Sequence, residues 1–367
     1  MRDRIYFDNN ATTAPSDAVV KTMIELIQEP MNASSIHSFG REARNLVESA
    51  RKKIRSFLGV PKDFRIIFTG SATEANNMII NSAKLNDMKV FASSVEHPSI
   101  LKTKVDEQLK VNRNGELMLS EIQEKGFYSV MLANNETGVI QPIKDILNAV
   151  RNVNSSLHVD AVQAIGKIPF NWAEIAADAF TISGHKFGGP YGVGCLIYNP
   201  EIFKLKPMML GGGQEYGIRP GTENVVAIHG MGVAVSAIED RVMRMQRDIA
   251  PIRNYIEDQI STFCNEVIIF GKEATKRLPN TTSMTMPGVK SEVQVAFFDS
   301  HGIAVSAGSA CSAGRVEFPH VQMSMMSSYE EASCTLRVSL GINNTIDEAK
   351  FFVEKWKELY TKHLKSA

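Results

Sequence analysis

The sequence predicts an α/β protein: a large domain built on a mostly parallel sheet, then a smaller α+β domain. Three observations carry this. Between residues 65 and 198, short apolar runs alternate with helical patterns, and a polar loop follows each run, the spacing of parallel βαβ units. Beyond residue 265, strands and helices are short and lose that alternation. The 367 residues, 44% hydrophobic and 22% charged, suffice for two packed cores.

In chain order, Ile5 to Phe7 reads as a short strand. D-N-N-A-T-T-A-P, small, polar and closed by Pro15, reads as an ordered loop. Residues 17–29 read as a helix and P-M-N-A-S-S-I-H-S-F-G as an irregular segment. Residues 41–58 show helical periodicity with a charged outer face, capped by Gly59. A strand from Arg65 to Phe68 then leads through T-G-S-A-T-E-A-N-N into an apolar helix. Small hydroxylated residues there suit either a plain N-cap, through Ser71 or Thr73, or a phosphate held on the helix N-terminus. Neither a G-K-[ST] loop nor a G-x-G-x-x-G turn is present.

The unit repeats. Lys89–Ser93 leads to S-V-E-H-P-S and a helix. Ser129–Ala133 leads to N-N-E-T-G-V-I-Q-P and a helix over Lys144–Val153. Leu157–Val159 leads to D-A-V-Q-A-I-G. Ligands of such sheets sit outside the carboxyl ends of the strands. There lie Thr73, His97, Asn135, Asp160 and Gln163. Each has a local explanation as a turn or cap residue; together they crowd one side of one sheet. Two further apolar runs, Ala176–Ile182 and Val193–Tyr198, flank S-G-H-K-F-G-G-P-Y-G and predict strand, sharp turn, strand. This places Lys186 at a sheet edge in a glycine-rich turn. It is either a surface lysine or a desolvated amine whose lowered pKa suits a Schiff base with an aldehyde cofactor.

M-L-G-G-G-Q-E-Y-G-I-R-P-G-T-E-N reads as an ordered loop, and residues 225–265 mostly as a long linking helix. Strands at Val267–Phe270 and Thr282–Met286, with helices at Glu292–Ser300 and Asp347–Leu364, make the smaller domain. Arg337 sits in a strand-like run, either paired with a protein carboxylate or clamping a substrate carboxylate. Cys311 lies among glycine, serine and alanine in I-A-V-S-A-G-S-A-C-S-A-G, which reads as an exposed loop thiol. Cys195, in an apolar run, and Cys334, before the Arg337 strand, read as structural.

Composition narrows the function classes. Basic and acidic residues number 40 each, so no nucleic-acid footprint or polybasic membrane patch is expected. No apolar run approaches the ~20 residues of a membrane span, and the N-terminus lacks a signal peptide's apolar core. Four separated cysteines without a C-x-x-C pair predict neither disulfide framework nor metal site, and a cytoplasmic location.

Taken in order, Y-F-D-N-N-A-T-T, S-A-T-E-A-N-N, E-H-P-S, N-N-E-T-G, H-V-D-A-V-Q, S-G-H-K, G-G-G-Q-E-x-G-x-R-P-G-T-E-N and S-A-G-S-A-C-S-A-G closely resemble the cysteine desulfurases of the NifS/IscS group. These belong to the class V enzymes that use pyridoxal phosphate, and the resemblance covers nearly the whole chain. It implies the type I fold of pyridoxal-phosphate-dependent transferases, with a seven-stranded, mostly parallel sheet. The large domain would span residues 13–242; residues 1–12 and 243–367 would form the smaller one. Lys186 matches the lysine that anchors the cofactor and shuttles protons. Asp160 would pair with the pyridinium nitrogen, His97 would stack on the ring, and Gln163 would reach its phenolic oxygen. Asn135 would line the ring and the substrate-carboxylate side. Ala72, Thr73, Ser183 and His185 would surround the phosphate, and Thr222 would reach it from a second subunit of a homodimer. Arg337 matches the arginine for the substrate carboxylate; Asn10, Ala11 and Thr12 match a loop folding over the site. Cys311 matches the cysteine that takes sulfur from L-cysteine, leaving alanine, and passes it to an acceptor such as an iron–sulfur scaffold protein.

Some positions depart from the group's pattern. N-A-S-S at Asn32–Ser35 stands for N-P-[SA]-S, Ser71 replaces a common glycine, and V-Q-M-S-M-M-S-S-Y is methionine-rich. The chain reaches Ala367 without the longer tail that housekeeping members use to dock a scaffold. These bear on the acceptor. Selenocysteine lyase or another class V reaction is the neighbouring alternative. A non-catalytic binding protein of the same fold would not need Lys186, Asp160, His97 and Cys311 together.

Overall fold

The computed structural model describes residues 4–103, 105–308 and 318–366. The chain opens with β1 (Ile5–Tyr6) and two helices, α1 (Asp17–Leu26) and α2 (Ser38–Leu58). α2 buries Ala43, Val47, Ala50, Ile54 and Leu58 along one stripe, the three-and-four spacing of an amphipathic helix. Gly59 ends it at φ 66°, left-handed backbone that glycine adopts without strain. α2 begins three residues before the expected position 41. The His37 ring caps it by accepting the Gly40 amide, and histidine is not among the usual cap residues. α1 stops at Leu26 rather than 29, because Pro30 disfavours helical backbone just before it.

β2 (Arg65–Thr69), β3 (Val90–Ser93), β4 (Glu107–Leu109), β5 (Phe127–Met131), β6 (Ser156–Asp160), β7 (Ala179–Ser183) and β8 (Gly194–Tyr198) form one sheet in the order β2-β8-β7-β6-β5-β3-β4. Only β8 runs against the others. α3 (Ala72–Lys84), α4 (Pro98–Leu101), α5 (Ile143–Asn152) and α6 (Trp172–Ile175) lie between the strands in sequence. β5 and β7 are buried at every position, as expected of parallel strands covered on both faces. β5 lies two residues before the expected 129–133, and Ala133 instead bridges Ile140 across the following turn. β4 escapes a sequence reading because two of its three residues are exposed. The β7–β8 turn closes two interior strands, so Lys186 stands at the carboxyl end of the sheet and not at its lateral edge.

The expected long helix over 225–265 is three helices: α7 (Val225–Val235), α8 (Ile238–Arg244) and α9 (Ala250–Phe263), with a π-helical turn over Met245–Ile249. Pro251 cannot donate to the carbonyl four residues back, which accounts for the widened turn just before it. α7 crosses α2 so closely that a Cβ on Gly232 would lie 2.7 Å from Ala50 Cα.

The rest of the chain forms β9 (Thr281–Thr285), α10 (Ser291–Ser300), β10 (Ile303–Ala304), β11 (Ser306–Ala307), α11 (His320–Ser324), α12 (Tyr329–Ser333), β12 (Thr335–Ser339) and α13 (Ile346–Ser366). β11, β12 and β9 pair antiparallel, and β1 pairs β10 in parallel. The expected strand at Val267–Phe270 is only a bridge from Ile269 to Met284, cut short by Gly271 at φ 71°. One apolar core runs from Val19 to Ile238 in sequence; another joins Phe7 to residues between Met245 and Tyr360. Among the described residues no helix is long and apolar enough to cross a membrane.

Candidate active site

The carboxyl ends of the large sheet open into a cavity of about 510 Å³. Lys186 follows β7 in a short 3₁₀ turn. Its Nζ donates to the Asn10 and Ala11 carbonyls, each at 2.7 Å. The lysine is thus held inside the cavity and is no surface hairpin residue. Burial and then the nearby Arg337 charge lower its pKa to about 8, against the opposing pull of Asp8 and Asp160.

Asp160 ends β6 and is 6% exposed. One oxygen accepts the Asn76 side-chain amide at 2.8 Å and the other the Val162 amide at 3.0 Å. Burial raises its pKa, and among the described residues no cation forms an ion pair with it. The Asn76 amide also donates to Ser99 Oγ at 2.9 Å. Ser99 Oγ lies 2.9 Å from His97 Nδ1, which also accepts the Ser99 amide. An Nδ1 that accepts leaves the ring proton on Nε2. His97 is also the N-cap of α4. Its turn reading and its site reading therefore hold together.

The same is true of the β2–α3 turn. Ser71 caps α3 by accepting the Glu74 amide at 3.1 Å, and Glu74 accepts the Gly70 amide at 2.7 Å. The Ala72 and Thr73 amides, in the first turn, have no intrahelical acceptor and border the cavity. Ser183 and His185 border it too. His185 Nδ1 lies 3.1 Å from Thr12 Oγ1, and burial, then Lys186, lowers its pKa to about 4.

Arg337, on β12, is 1% exposed and reaches the cavity from the smaller core. Nη2 donates to Asp8 at 2.7 Å and to Ser306 at 3.0 Å, and Nη1 to the Asn135 carbonyl at 3.3 Å. Arg337 is thus paired with a protein carboxylate and also lines the cavity. Asn10 Nδ2 bonds the Asn135 carbonyl and Thr281, while its Oδ1 accepts buried Lys167 at 2.6 Å. Lys167 also bonds Gln163 Oε1, and Gln163 Nε2 donates to the Asn10 carbonyl at 3.0 Å.

The structure therefore gathers Ala72, Thr73, His97, Asn135, Asp160, Gln163, Ser183, His185, Lys186 and Arg337, with Asn10 and Ala11, around one cavity. Thr12 touches it through His185. Thr222 is exposed and does not line it. Cys311 lies outside the described residues. Its described flanks are anchored: the Gly308 amide bonds the Thr335 carbonyl, and Phe318 and His320 line the cavity. Cys195, Cys264 and Cys334 are all buried, and burial pushes the thiols of Cys195 and Cys334 up.

Sequence reasoning passed over Asn76, Asp8, Lys167, His320 and Glu96. Asp8 and Asn76 stand inside quoted motifs, but only the fold shows their partners. Lys167 follows an ordinary glycine turn. Glu96 is fully buried, accepts the Met131 amide at 2.7 Å and has its pKa raised by burial.

These residues fit pyridoxal phosphate. A buried carboxylate without a cationic partner suits a protonated ring nitrogen. Free amides at the start of α3 suit a phosphate. A Cβ on Gly194 would stand 2.8 Å from Ser71 C and 2.9 Å from Ala72 N, so that glycine lets β8 close against the phosphate turn. A desolvated amine, Lys186, stands in the same cavity.

Comparison with known proteins agrees. The chain is 36% identical to a cysteine desulfurase of Bradyrhizobium diazoefficiens over 95% of its length and 92% of that protein. It is 34% identical to the cysteine desulfurase IscS of Dictyoglomus turgidum, over 99% of its length and 96% of the relative's. The structure of a NifS-like protein from Rickettsia africae superposes with a TM-score of 0.89 at 35% identity, over 98% of this chain and 99% of that one. The aminotransferase class-V family model matches residues 5–352. With this fold, this cavity and that match, the chain belongs to the aminotransferase class-V family and is a pyridoxal-phosphate-dependent enzyme.

Proposed function

We propose that the enzyme is a cysteine desulfurase that moves the sulfur of L-cysteine onto Cys311 and releases alanine. The observation that supports this best is one cavity holding a desolvated lysine, a buried carboxylate without a cationic partner and a buried arginine, lined in part by Phe318 and His320.

Pyridoxal phosphate, when bound, would be held by Lys186 and would supply an electron sink conjugated to the substrate's Cα. Asp160 would accept the ring N–H; the Asn76–Ser99–His97 chain fixes that carboxylate and the imidazole together. Ala72, Thr73, Ser183 and His185 would hold the phosphate. Gln163 would reach the phenolic oxygen. Arg337 and Asn135 take the substrate carboxylate, with Asn10, Ala11 and Thr12 folded over the site. Lys186, with a pKa near neutrality, removes and returns protons at Cα. The Cys311 thiolate bonds to the substrate sulfur while the bond from Cβ to sulfur breaks. The products are a Cys311 persulfide and alanine, with no external oxidant or reductant.

The remaining features of this reading are a homodimer in which Thr222 reaches the partner's phosphate, a cytoplasmic location, and a sulfur-acceptor protein such as an iron–sulfur scaffold. The separate apolar cores support a large domain of residues 13–242 and a smaller one of 1–12 with 243–367. The test is alanine release from L-cysteine by four single Cys→Ser variants. Cys311→Ser should lose nearly all turnover yet keep the cofactor's absorbance, since a hydroxyl is a far weaker nucleophile than a thiolate. The variants of buried Cys195, Cys264 and Cys334 should retain turnover. Wild-type turnover in Cys311→Ser would refute the assignment.

A further inference from the structure

A second cavity, of about 470 Å³, lies behind the Lys186 turn. Its walls are the start of α1, Phe187 and Gly188, the α7–α8 junction, and residues 341–344. Arg241, on α8, lines it and is 7% exposed. Its Nε and Nη2 are buried without a hydrogen-bond acceptor, and no carboxylate forms an ion pair with it among the described residues. This separates it from the other buried arginines described: Arg51 has Glu215 and Arg337 has Asp8. Burying a guanidinium without a counter-charge is costly, so the position calls for an anion.

The cavity supplies further donors. α1 has ten residues, and its N-cap, Ser16, makes no side-chain capping bond, so the first-turn amides are uncapped by the protein. Asn343 also lines the cavity. Gly188, at φ 86°, keeps the wall open where a Cβ would stand 3.7 Å from Arg241 Nη1. Two carboxylates, Asp17 and Asp240, border the cavity as well and oppose an anion. Neither counterbalances Arg241, whose pKa falls to about 10 through burial and then Arg244.

We propose that this cavity is a second ligand site, in which Arg241 binds the carboxylate or phosphate group of a small anion. The unpartnered Nε–H and Nη2–H form one edge of the planar guanidinium, and such an edge matches either group in the same two-point way. The occupant would touch Asn9 and Phe187, chain neighbours of the Asn10 and Lys186 that meet in the first cavity.

The test uses the cofactor-loaded enzyme, so the cofactor's own phosphate position is filled. Phosphate, sulfate and succinate are titrated separately against sodium chloride at equal ionic strength, with binding read by calorimetry and thermal unfolding. At least one anion should bind saturably and raise the unfolding midpoint beyond the chloride control. Which does so most strongly separates a phosphate from a carboxylate ligand. Arg241→Met should weaken that binding about tenfold or more, the loss expected for a charge-assisted pair. Because this variant leaves Arg337 intact, it also separates the second cavity from the first. Asp240→Asn, an exposed change that does not threaten folding, should tighten binding by about threefold through loss of a like charge. No saturable effect of any anion, undiminished binding in Arg241→Met, or unchanged affinity in Asp240→Asn would overturn the proposal.

Discussion

Lys186 shows how a residue acquires its chemistry from its surroundings. Its carbonyl partners, Asn10 and Ala11, hold Nζ in place without neutralising it. Burial makes the charged form expensive, and the Arg337 charge adds to that cost. With the pKa lowered from 10.5 to about 8, the amine is mostly protonated at pH 7 and mostly neutral above 8. Only the neutral amine attacks the cofactor's aldehyde. The rate at which cofactor-free protein takes up pyridoxal phosphate should therefore rise about tenfold per pH unit below 8 and level off above it. Stopped-flow absorbance across pH 6 to 10 checks this. A rise that continues towards pH 10 would mean that the lysine is not desolvated as described. Arg337→Gln should move the midpoint upward, because it removes the second cause of the shift. At this scale the sequence was legible wherever a motif carried the residue. It was mute on Lys167, whose bond to Asn10 arises only when the N-terminal loop meets the segment after β6.

At the scale of elements, the phosphate turn depends on two pieces of chain fitting closely. β8 runs past the start of α3, and Gly194 faces Ser71 and Ala72 with no side chain between. The obstacles to a Cβ there are all backbone, including the Ile182 carbonyl at 3.0 Å, so no side chain can swing aside. Gly194→Ala should push the α3 N-terminus outward and turn its free amides from the phosphate. Pyridoxal phosphate affinity, followed by spectral titration, should weaken by about tenfold or more. The far-UV spectrum should persist, because the sheet order does not depend on this contact. Unchanged affinity would place the phosphate elsewhere. The sequence marked the strand–loop–helix units well, since their periodicity is local. It failed on the 225–265 stretch, where no glycine or proline marks the break at Ser236–Ala237. It also failed on β10 and β11, two residues each, which exist only through pairing with distant β1 and β12.

The whole molecule brings residues of both cores to one cavity. β1 and the loop after it pair with β10 and with Ser339, so the N-terminal segment is tied to the smaller core while Asn10 reaches across to Lys186. Sequence motifs foretold most of the residues that meet, several of them at strand ends, but not that Asp8 would hold Arg337. Among the described residues, Thr222 is the proposed site residue that does not reach its own chain's cavity. It is exposed, on the loop that follows Arg219, whose guanidinium is fixed to Glu74 at 2.8 Å. If Thr222 serves the partner's phosphate in a two-fold dimer, two defects in different chains should compensate. Lys186→Ala removes a site's own lysine; Thr222→Asp sets a negative charge against the partner's phosphate. Each homodimer should be nearly inactive. In a mixed dimer, the chain that keeps Lys186 receives an intact Thr222 from the other, so one of two sites is whole. Random mixing should then recover about a quarter of wild-type alanine production, since half of the dimers are mixed and half of their sites are complete. If mixing restores nothing while mixed dimers are shown by mass spectrometry to form, Thr222 does not act between subunits.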